Sequence, residues 1–275
     1  MKSSDCILEL VNINKSFENN FEVIKDISFT AKSGEFICFI GPSGCGKTVL
    51  LYAIAGLLPI TSGKILKKGQ VVTSIGTDRI LVFQDHMLFP WKTVIGNVLF
   101  GLTNSDLDKN KKIALAEKYL DMVGLLQFKD WSIHKLSGGM KQRVAFARAL
   151  VTVPEILLMD EPFSALDSIS RRHLRKNLLE IWQKTQKTIL FVTHSVNEAI
   201  YLADTIYVMS SSPTTIKKSY SVDVLRPRDI SDPNCIQLIK DIENDLETEF
   251  SLDKIETELN LNEIVNFKDS FLKQH

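Results

Sequence analysis

Four short apolar runs punctuate the chain: Glu35–Ile40, Glu155–Met159, Thr188–Val192 and Thr205–Met209. Each is bounded by turn-forming residues and is too short for a helix, so each predicts a strand, and Glu155–Met159 a buried one. Further strands are expected at Cys6–Asn12, Glu22–Thr30, Lys64–Lys67 and Arg79–Phe83, broken by Asn-, Ser- and Gly-bearing turns. From about Thr93 to Thr152 the period changes to that of a helix, as in KNKKIALAEKYLDMV. Helices are also expected at Arg171–Lys184 and Val196–Ala203, between the late strands. The alternation predicts an α/β fold, a parallel sheet interrupted by a helical insertion. Pro213 and Arg226-Pro227-Arg228 predict a looser region. Beyond it, the spacing of Ile236, Ile239, Ile242 and Leu246 predicts a helix, and a second is expected through Ile255 to Leu272.

One stretch breaks its own pattern. In LSGGMKQRVAFARAL (Leu136–Leu150), helical spacing of Met140, Val144, Ala147 and Val151 begins directly after Gly138 and Gly139. Two glycines at a helix start cost about 0.8–1.0 kcal/mol each relative to alanine. Something other than helix stability must call for them.

Composition narrows the classes. The 275 residues are 44% hydrophobic and 24% charged, ordinary for a globular protein with a sizeable core. No apolar run approaches the roughly eighteen residues of a membrane span, and MKSSDCILEL lacks the pattern of a signal peptide, so a cytosolic setting is expected. Cys6, Cys38, Cys45 and Cys235 form no metal-binding spacing, and reduced thiols are expected. Net charge is zero, but Lys240–His275 carries ten acidic and four basic residues, a net of −6, leaving +6 on residues 1–239. That excess is small and unclustered, which argues against nucleic acid as partner. The acidic tail reads as a solvated helical face.

Candidate chemistry starts at residues 41–48. GPSGCGKT follows the strand EFICFI and precedes the helix-like VLLYAIAGLL, the setting that marks a phosphate-binding loop. Gly41, Pro42, Ser43, Gly44, Cys45 and Gly46 would curl around phosphate oxygens at a helix N-terminus, every one but Pro42 with a backbone N–H to offer, and Val49 follows in the same helix start. Lys47 would reach the outer phosphates, and the Thr48 hydroxyl would ligate Mg²⁺. No chemistry is assigned to the Cys45 thiol. A metal-bound triphosphate needs a second carboxylate site, and ILLMDE (156–161) supplies Asp160 and Glu161 at a strand end. Asp160 would hold Mg²⁺, while Glu161 would orient and deprotonate the attacking water.

With GPSGCGKT, LSGGMKQR and ILLMDEP in that order, the chain resembles the nucleotide-binding subunit of an ATP-binding cassette (ABC) transporter, over roughly residues 7–210. The resemblance implies a P-loop ATPase core with an N-terminal antiparallel β subdomain and an inserted α-helical signature subdomain at about 88–152. It implies an ATPase domain over 1–232 and leaves 233–275 as a helical appendage. It implies that Gln84 is the glutamine that senses Mg²⁺ and touches the permease. In the same way His194 is the switch histidine on the γ-phosphate, and Phe17 stacks on adenine, where tyrosine is usual. Ser164-Ala165-Leu166-Asp167 matches the loop after the catalytic glutamate. It also explains the glycines. In this family two cassettes pair head to tail, and Ser137, Gly138 and Gly139 of one close over the triphosphate bound by the other. Met140 departs from the usual glutamine without removing phosphate donors.

LFPWKTVIGNV (88–98), GMKQRVAFARAL and RPRD (226–229) resemble the nitrate/sulfonate/taurine importer branch. That resemblance implies an ATPase on the cytoplasmic face of the membrane, working as a homodimer with ATP and Mg²⁺. Its partners would be integral-membrane permease subunits and, indirectly, an extracytoplasmic solute-binding protein. The Phe89–Trp91 knob would meet the permease, or would anchor the helical insertion. A soluble ABC ATPase acting on nucleic acid is the rival from another class. Such proteins carry two cassettes or a long coiled coil, and no sustained heptad pattern occurs between Thr48 and Ile156. A P-loop kinase is a weaker rival, having no use for LSGGM.

Overall fold

The computed structural model of the chain describes residues 5–17, 21–164 and 166–249. Two sheets form the frame. One is antiparallel, in the order β2-β1-β4-β5, from Cys6–Ser16 (β1), Glu22–Lys32 (β2), Ser62–Lys67 (β4) and Gln70–Val71 (β5). The other has the order β10-β9-β3-β8-β7-β6. It combines Phe36–Ile40 (β3), Arg79–Val82 (β6), Ile156–Asp160 (β7), Thr188–Thr193 (β8), Thr205–Met209 (β9) and Ile216–Ser221 (β10). All its pairings are parallel except β9 with β10.

The apolar runs became the central strands for the expected reason. Every residue of β3, β7 and β8 is buried, because the sheet is covered on both faces. On one face lie α1 (Lys47–Ala55) and the antiparallel sheet; on the other lie α5 (Ser168–Thr185) and α6 (Val196–Leu202). Phe36, Phe163, Phe191 and Trp182 meet on the second face, with Phe163 and Phe191 centroids 5.5 Å apart. Each fully buried side chain of this size contributes about 1.5–3 kcal/mol.

The insertion is not one helical block. It divides into α2 (Val94–Phe100), α3 (Lys109–Met122), two 3-10 turns (Leu126–Phe128 and Ile133–Lys135) and α4 (Gly138–Leu150). Local chemistry sets the starts: the side chains of Thr93, Asp108 and Ser137 each accept a first-turn N–H. Gly124, at φ 68°, lets the chain leave α3.

Two strands escape the sequence pattern. β5 is two exposed residues, and β10, reading IKKSYS, is an edge strand in which only Tyr220 is buried. The region expected to be loose around Arg226–Arg228 is tightly held instead. The Arg228 guanidinium is buried and donates to the carbonyls of Ile200, Ala203, Val222 and Val224, at 2.8, 2.5, 2.7 and 2.8 Å. Burial pushes its pKa down to about 10, so it stays charged at neutral pH. Arg226 donates to Asp204 and Leu202 and lies over the Trp182 ring. A prediction follows for stability. Arg228→Leu strands four buried carbonyls and should cost about 3 kcal/mol or more. In a domain of this size that lowers Tm by roughly 6–12 °C in calorimetry; an unchanged Tm would mean that the network contributes nothing.

The last described helix, α7 (233–249), packs Cys235, Ile242 and Leu246 into the core that holds α5 and α6. Its acidic residues are not all solvated: Asp245 accepts from the Tyr220 hydroxyl, and Glu249 is buried. The expected helix at Ile255–Leu272 lies outside the described residues. All four cysteines are free, and no helix among the described residues is long and apolar enough to cross a membrane.

Candidate nucleotide site

The parallel strands all end on one edge of the six-stranded sheet, and the candidate residues sit on that edge. Ile40 is paired with Thr193 and Asp160 with Val192, so the ends of β3, β8 and β7 are level. The loop 41–46 leaves β3, Asp160 and Glu161 close β7, His194 follows β8, and Gln84 lies just past β6. This is the crevice beyond strand carboxyl ends where open α/β sheets bind ligands.

The loop has the shape that its sequence predicts. Gly44 and Gly46 adopt φ of 79° and 119°, values that a side chain would oppose. A Cβ at Gly46 would come within 2.9 Å of Val23 and 3.1 Å of the Thr214 hydroxyl. Ser43 is exposed, Pro42 and Cys45 are buried, and Val49 is half-buried in the first turn of α1. The Lys47 ammonium, almost wholly buried, donates to the carbonyls of Gly41 (2.9 Å) and Pro42 (2.5 Å). Among the described residues no carboxylate is bonded to it, so a buried cation lies in the loop short of counter-charge. That fits a polyphosphate at the N-terminus of α1.

The metal half also fits. Thr48 Oγ1 donates to Asp160 Oδ1 at 3.0 Å, which brings two hard oxygen donors together. Burial pushes the Asp160 carboxyl above its ordinary range, and the neighbouring Glu161 charge adds to this. The Thr48 hydroxyl and Lys47 act in the opposite direction. Two protein oxygens leave the remaining ligands to phosphate and water, the usual manner of holding Mg²⁺.

Glu161 adopts φ of 42°, unusual for a residue with a side chain. Its N–H donates to Val192 (3.0 Å), and its carbonyl accepts from the N–H (3.2 Å) and hydroxyl (3.0 Å) of Ser164. The backbone is thus pinned, and His194 Nδ1 lies 3.2 Å from Glu161 Oε2. Gln84 is exposed and reaches the group through Ser164, its amide donating to Ser164 Oγ at 3.2 Å. Ser164 therefore links the glutamine to the Glu161 main chain, a role that its place in the matched motif does not reveal. Asp167 caps α5 by accepting from Ile169 and Ser170 N–H groups; Ala165 lies outside the described residues.

Phe17 and the three signature residues complete the candidate set. Phe17 is at the end of β1, about half exposed, bonded through its N–H to the Phe21 carbonyl and covered on one side by the Lys15 ammonium. Ser137, Gly138 and Gly139 open α4, which packs on α2, α3, α5 and β6, whereas α1 packs on β6, β7 and β8. A cavity beside the signature is lined by Ser137, Gly139, Arg143, Ser170 and His173, with no residue of the 41–48 loop.

Sequence reasoning missed the ties between the signature helix and the glutamine loop. Gln142 Oε1 meets His86 Nδ1, and Arg148 donates to the carbonyls of Met87 (2.6 Å) and His86 (3.0 Å). Asn97, fully buried, accepts from the Phe89 N–H at 2.7 Å and donates to its carbonyl, which fixes the aromatic knob. Only Asn97 carried a signal, as a fixed position of the 88–98 stretch.

Two sheets, an inserted helical subdomain and this order of elements define an ABC-type ATPase cassette. The sequence matches the ABC transporter family over residues 24–164. The chain is 45% identical over 220 residues to the nitrate import ATP-binding protein NrtD of Synechocystis sp., covering 79% of this chain and 83% of that one. It is 44% identical over 215 residues to the taurine import ATP-binding protein TauB of Pelagibacter ubique, covering 77% and 81%. The dimeric structure of MJ0796, a bacterial ABC transporter cassette, superposes with a TM-score of 0.69 at 28% identity, covering 80% of this chain and all of that one. This chain belongs to the ABC transporter family, as an ATP-binding subunit with ATPase activity.

Proposed function

We propose that the chain energises uptake of a small solute, of the nitrate, sulfonate or taurine kind, by ATP-driven closure of a homodimer against a membrane permease. One observation carries the closure: among the described residues, nothing in the chain itself calls for the signature glycines. Among the described residues, a Cβ at Gly138 would meet only Leu166 at 3.4 Å, and one at Gly139 only Leu174 and Ser170 at 3.7 and 3.9 Å, all ordinary contacts. Neither glycine has a positive φ. A helix start that sacrifices stability without local need is suited to a close backbone approach by something outside the chain. The Ser137 N-cap and the first N–H groups of α4 present a positive end for a triphosphate held by the twin.

In this reading the loop 41–46 and Lys47 hold the phosphates, and Phe17 stacks on the adenine. Thr48 and Asp160, with Gln84, would hold Mg²⁺, which would supply neutralisation of charge on the outer phosphates. Glu161 takes a proton from the water whose oxygen attacks the γ-phosphorus, as the bond to the β–γ bridging oxygen breaks and ADP leaves. His194, held against Glu161, orients the γ-phosphate. Loss of that phosphate removes the contact across the seam and lets the dimer reopen. The described part of the tail, α7 (233–249), is read as an appendage on the 1–232 ATPase domain.

The permease side rests on an apolar surface. Trp91 is 77% exposed, Met87 57% and Phe100 48%; the ring of Phe89 lies 5.4 Å from Trp91 and 4.4 Å from Phe100. Adjoining cavities are lined by Phe83, Phe100, Ala145, Leu57 and Ile75. Rigid aromatics beside an apolar groove suit an inserted helix from the permease, with an extracytoplasmic solute-binding protein supplying cargo from the far side. The subunit then lies at the cytoplasmic face of the membrane. The relatives' names point to different solutes, as expected of a subunit that never touches cargo.

The test uses the reassembled complex in proteoliposomes. Trp91→Ala should lower ATP-driven solute uptake about tenfold or more, as for loss of an interfacial aromatic anchor. The basal ATPase of the isolated subunit should stay within about twofold. Equal losses of both activities would instead place the knob in the folding of the insertion.

A further inference from the structure

The wall behind the phosphate loop comes from a distant part of the chain. Thr214, fully buried in the β9–β10 connection, donates its hydroxyl to the Cys45 carbonyl. Its N–H donates to the Val23 carbonyl (2.8 Å) and its carbonyl accepts from Lys25 (2.9 Å), so it also bridges Ile24 in parallel fashion. One residue thus ties the edge of the antiparallel sheet, the six-stranded sheet and the loop together. Val23 and the Thr214 hydroxyl are also what a Cβ on Gly46 would strike.

The peptide joining Cys45 to Gly46 is trans, so its C=O and N–H point in opposite directions. With the Cys45 carbonyl held by Thr214, the Gly46 N–H must face away from the wall, the direction that a phosphate-binding donor needs. A rotated peptide would present a carbonyl oxygen to the phosphates instead. The connection that carries Thr214 is itself closed. The Ser210 hydroxyl, with one proton to share, lies within hydrogen-bond reach of the Ser211 (2.9 Å) and Pro213 (3.1 Å) carbonyls, and the Thr215 N–H donates to its oxygen at 2.8 Å. From outside, α7 clamps it: Glu249 accepts from the Ser211 N–H (3.2 Å) and pairs with Lys217 (3.2 Å).

We propose that Thr214 is a positioning residue for ATP binding, aiming the Gly46 N–H through the Cys45 carbonyl, and that Glu249 of α7 holds it in place. This rests on the reading that the 41–48 loop binds the phosphates. It also gives the C-terminal helix a task beyond packing, since it joins the tail to the nucleotide site through the 210–215 connection.

The test is carried out on the full chain, measuring Kd for Mg²⁺–AMP-PNP by calorimetry, KM and kcat for ATP, and Tm. Thr214→Val should raise Kd and KM about three- to tenfold, the effect of one net hydrogen bond. Its kcat should stay within about twofold, because the wall touches no group that moves in the chemistry. Thr214→Ser, which keeps the hydroxyl, should restore both constants, and Glu249→Ala should shift them in the same direction by less. Wild-type Kd in Thr214→Val, or a fall in kcat at unchanged KM, overturns the proposal. If Thr214→Val does not fold, unchanged constants in Glu249→Ala overturn it. Lys47→Ala separates the two levels: if it binds as wild type the phosphate-loop reading fails, and if it alone loses binding only the role of Thr214 fails.

Discussion

Glu161→Gln is expected to lower ATP turnover by about 10²–10⁴-fold, the usual share of a general base, while ATP affinity is retained. The amide matches the carboxylate in shape but cannot accept the water proton. The change should not disturb the site, because backbone bonds to Val192 and Ser164 fix this residue rather than its side chain. Its φ of 42° points the same way: a non-glycine residue held in that region is held by its surroundings. With binding intact and the γ-phosphate uncleaved, the closed dimer should accumulate in ATP and elute at twice the subunit mass. Turnover near wild type would remove Glu161 from the chemistry and turn attention to His194, 3.2 Å away.

Mixing Ser137→Arg with Lys47→Ala chains should restore activity that neither variant has alone. Arginine at Ser137 removes the cap and places a long side chain where the twin's phosphates should arrive. Alanine at Lys47 removes the ammonium held at Gly41 and Pro42. In a two-fold symmetric dimer, random pairing makes about half the dimers mixed, each with one intact composite site and one doubly broken site. Recovery should approach about a quarter of wild-type activity if the sites act independently. No recovery in demonstrated mixed dimers would mean that each chain completes its own site.

The loop and the strand-end carboxylates proposed to hold ATP were legible as a pattern because that pattern is local. Eight consecutive residues supply the cradle, and Asp160-Glu161 follow directly from the run that builds β7. The continuous burial of β3, β7 and β8 was legible for a similar reason: a strand covered on both faces has no polar side to display. Arg226-Pro227-Arg228 misled, since charge and proline read as surface. What overrides that reading is four carbonyls, two from the end of α6 and two from the segment after β10, that converge on one guanidinium, and no pattern in the segment records them.

Thr214 marks the same boundary at the site. It lies 169 positions from Cys45 in an unremarkable Ser-Pro-Thr-Thr stretch, and a buried hydroxyl has no signature in a single sequence. The ties of Gln142 and Arg148 to the glutamine loop are equally silent, because a helical polar residue reads as solvent-facing until its neighbour is known. The sequence by itself determined the central strands and most of the helices, the sheet edge that gathers the strand ends, and the residue types proposed to meet phosphate and metal, because these follow from periodicity and contiguous donors. Only the tertiary structure decided which groups hold those residues in place. Such contacts depend on the distance between chain segments far apart in order, and residue spacing does not encode that distance.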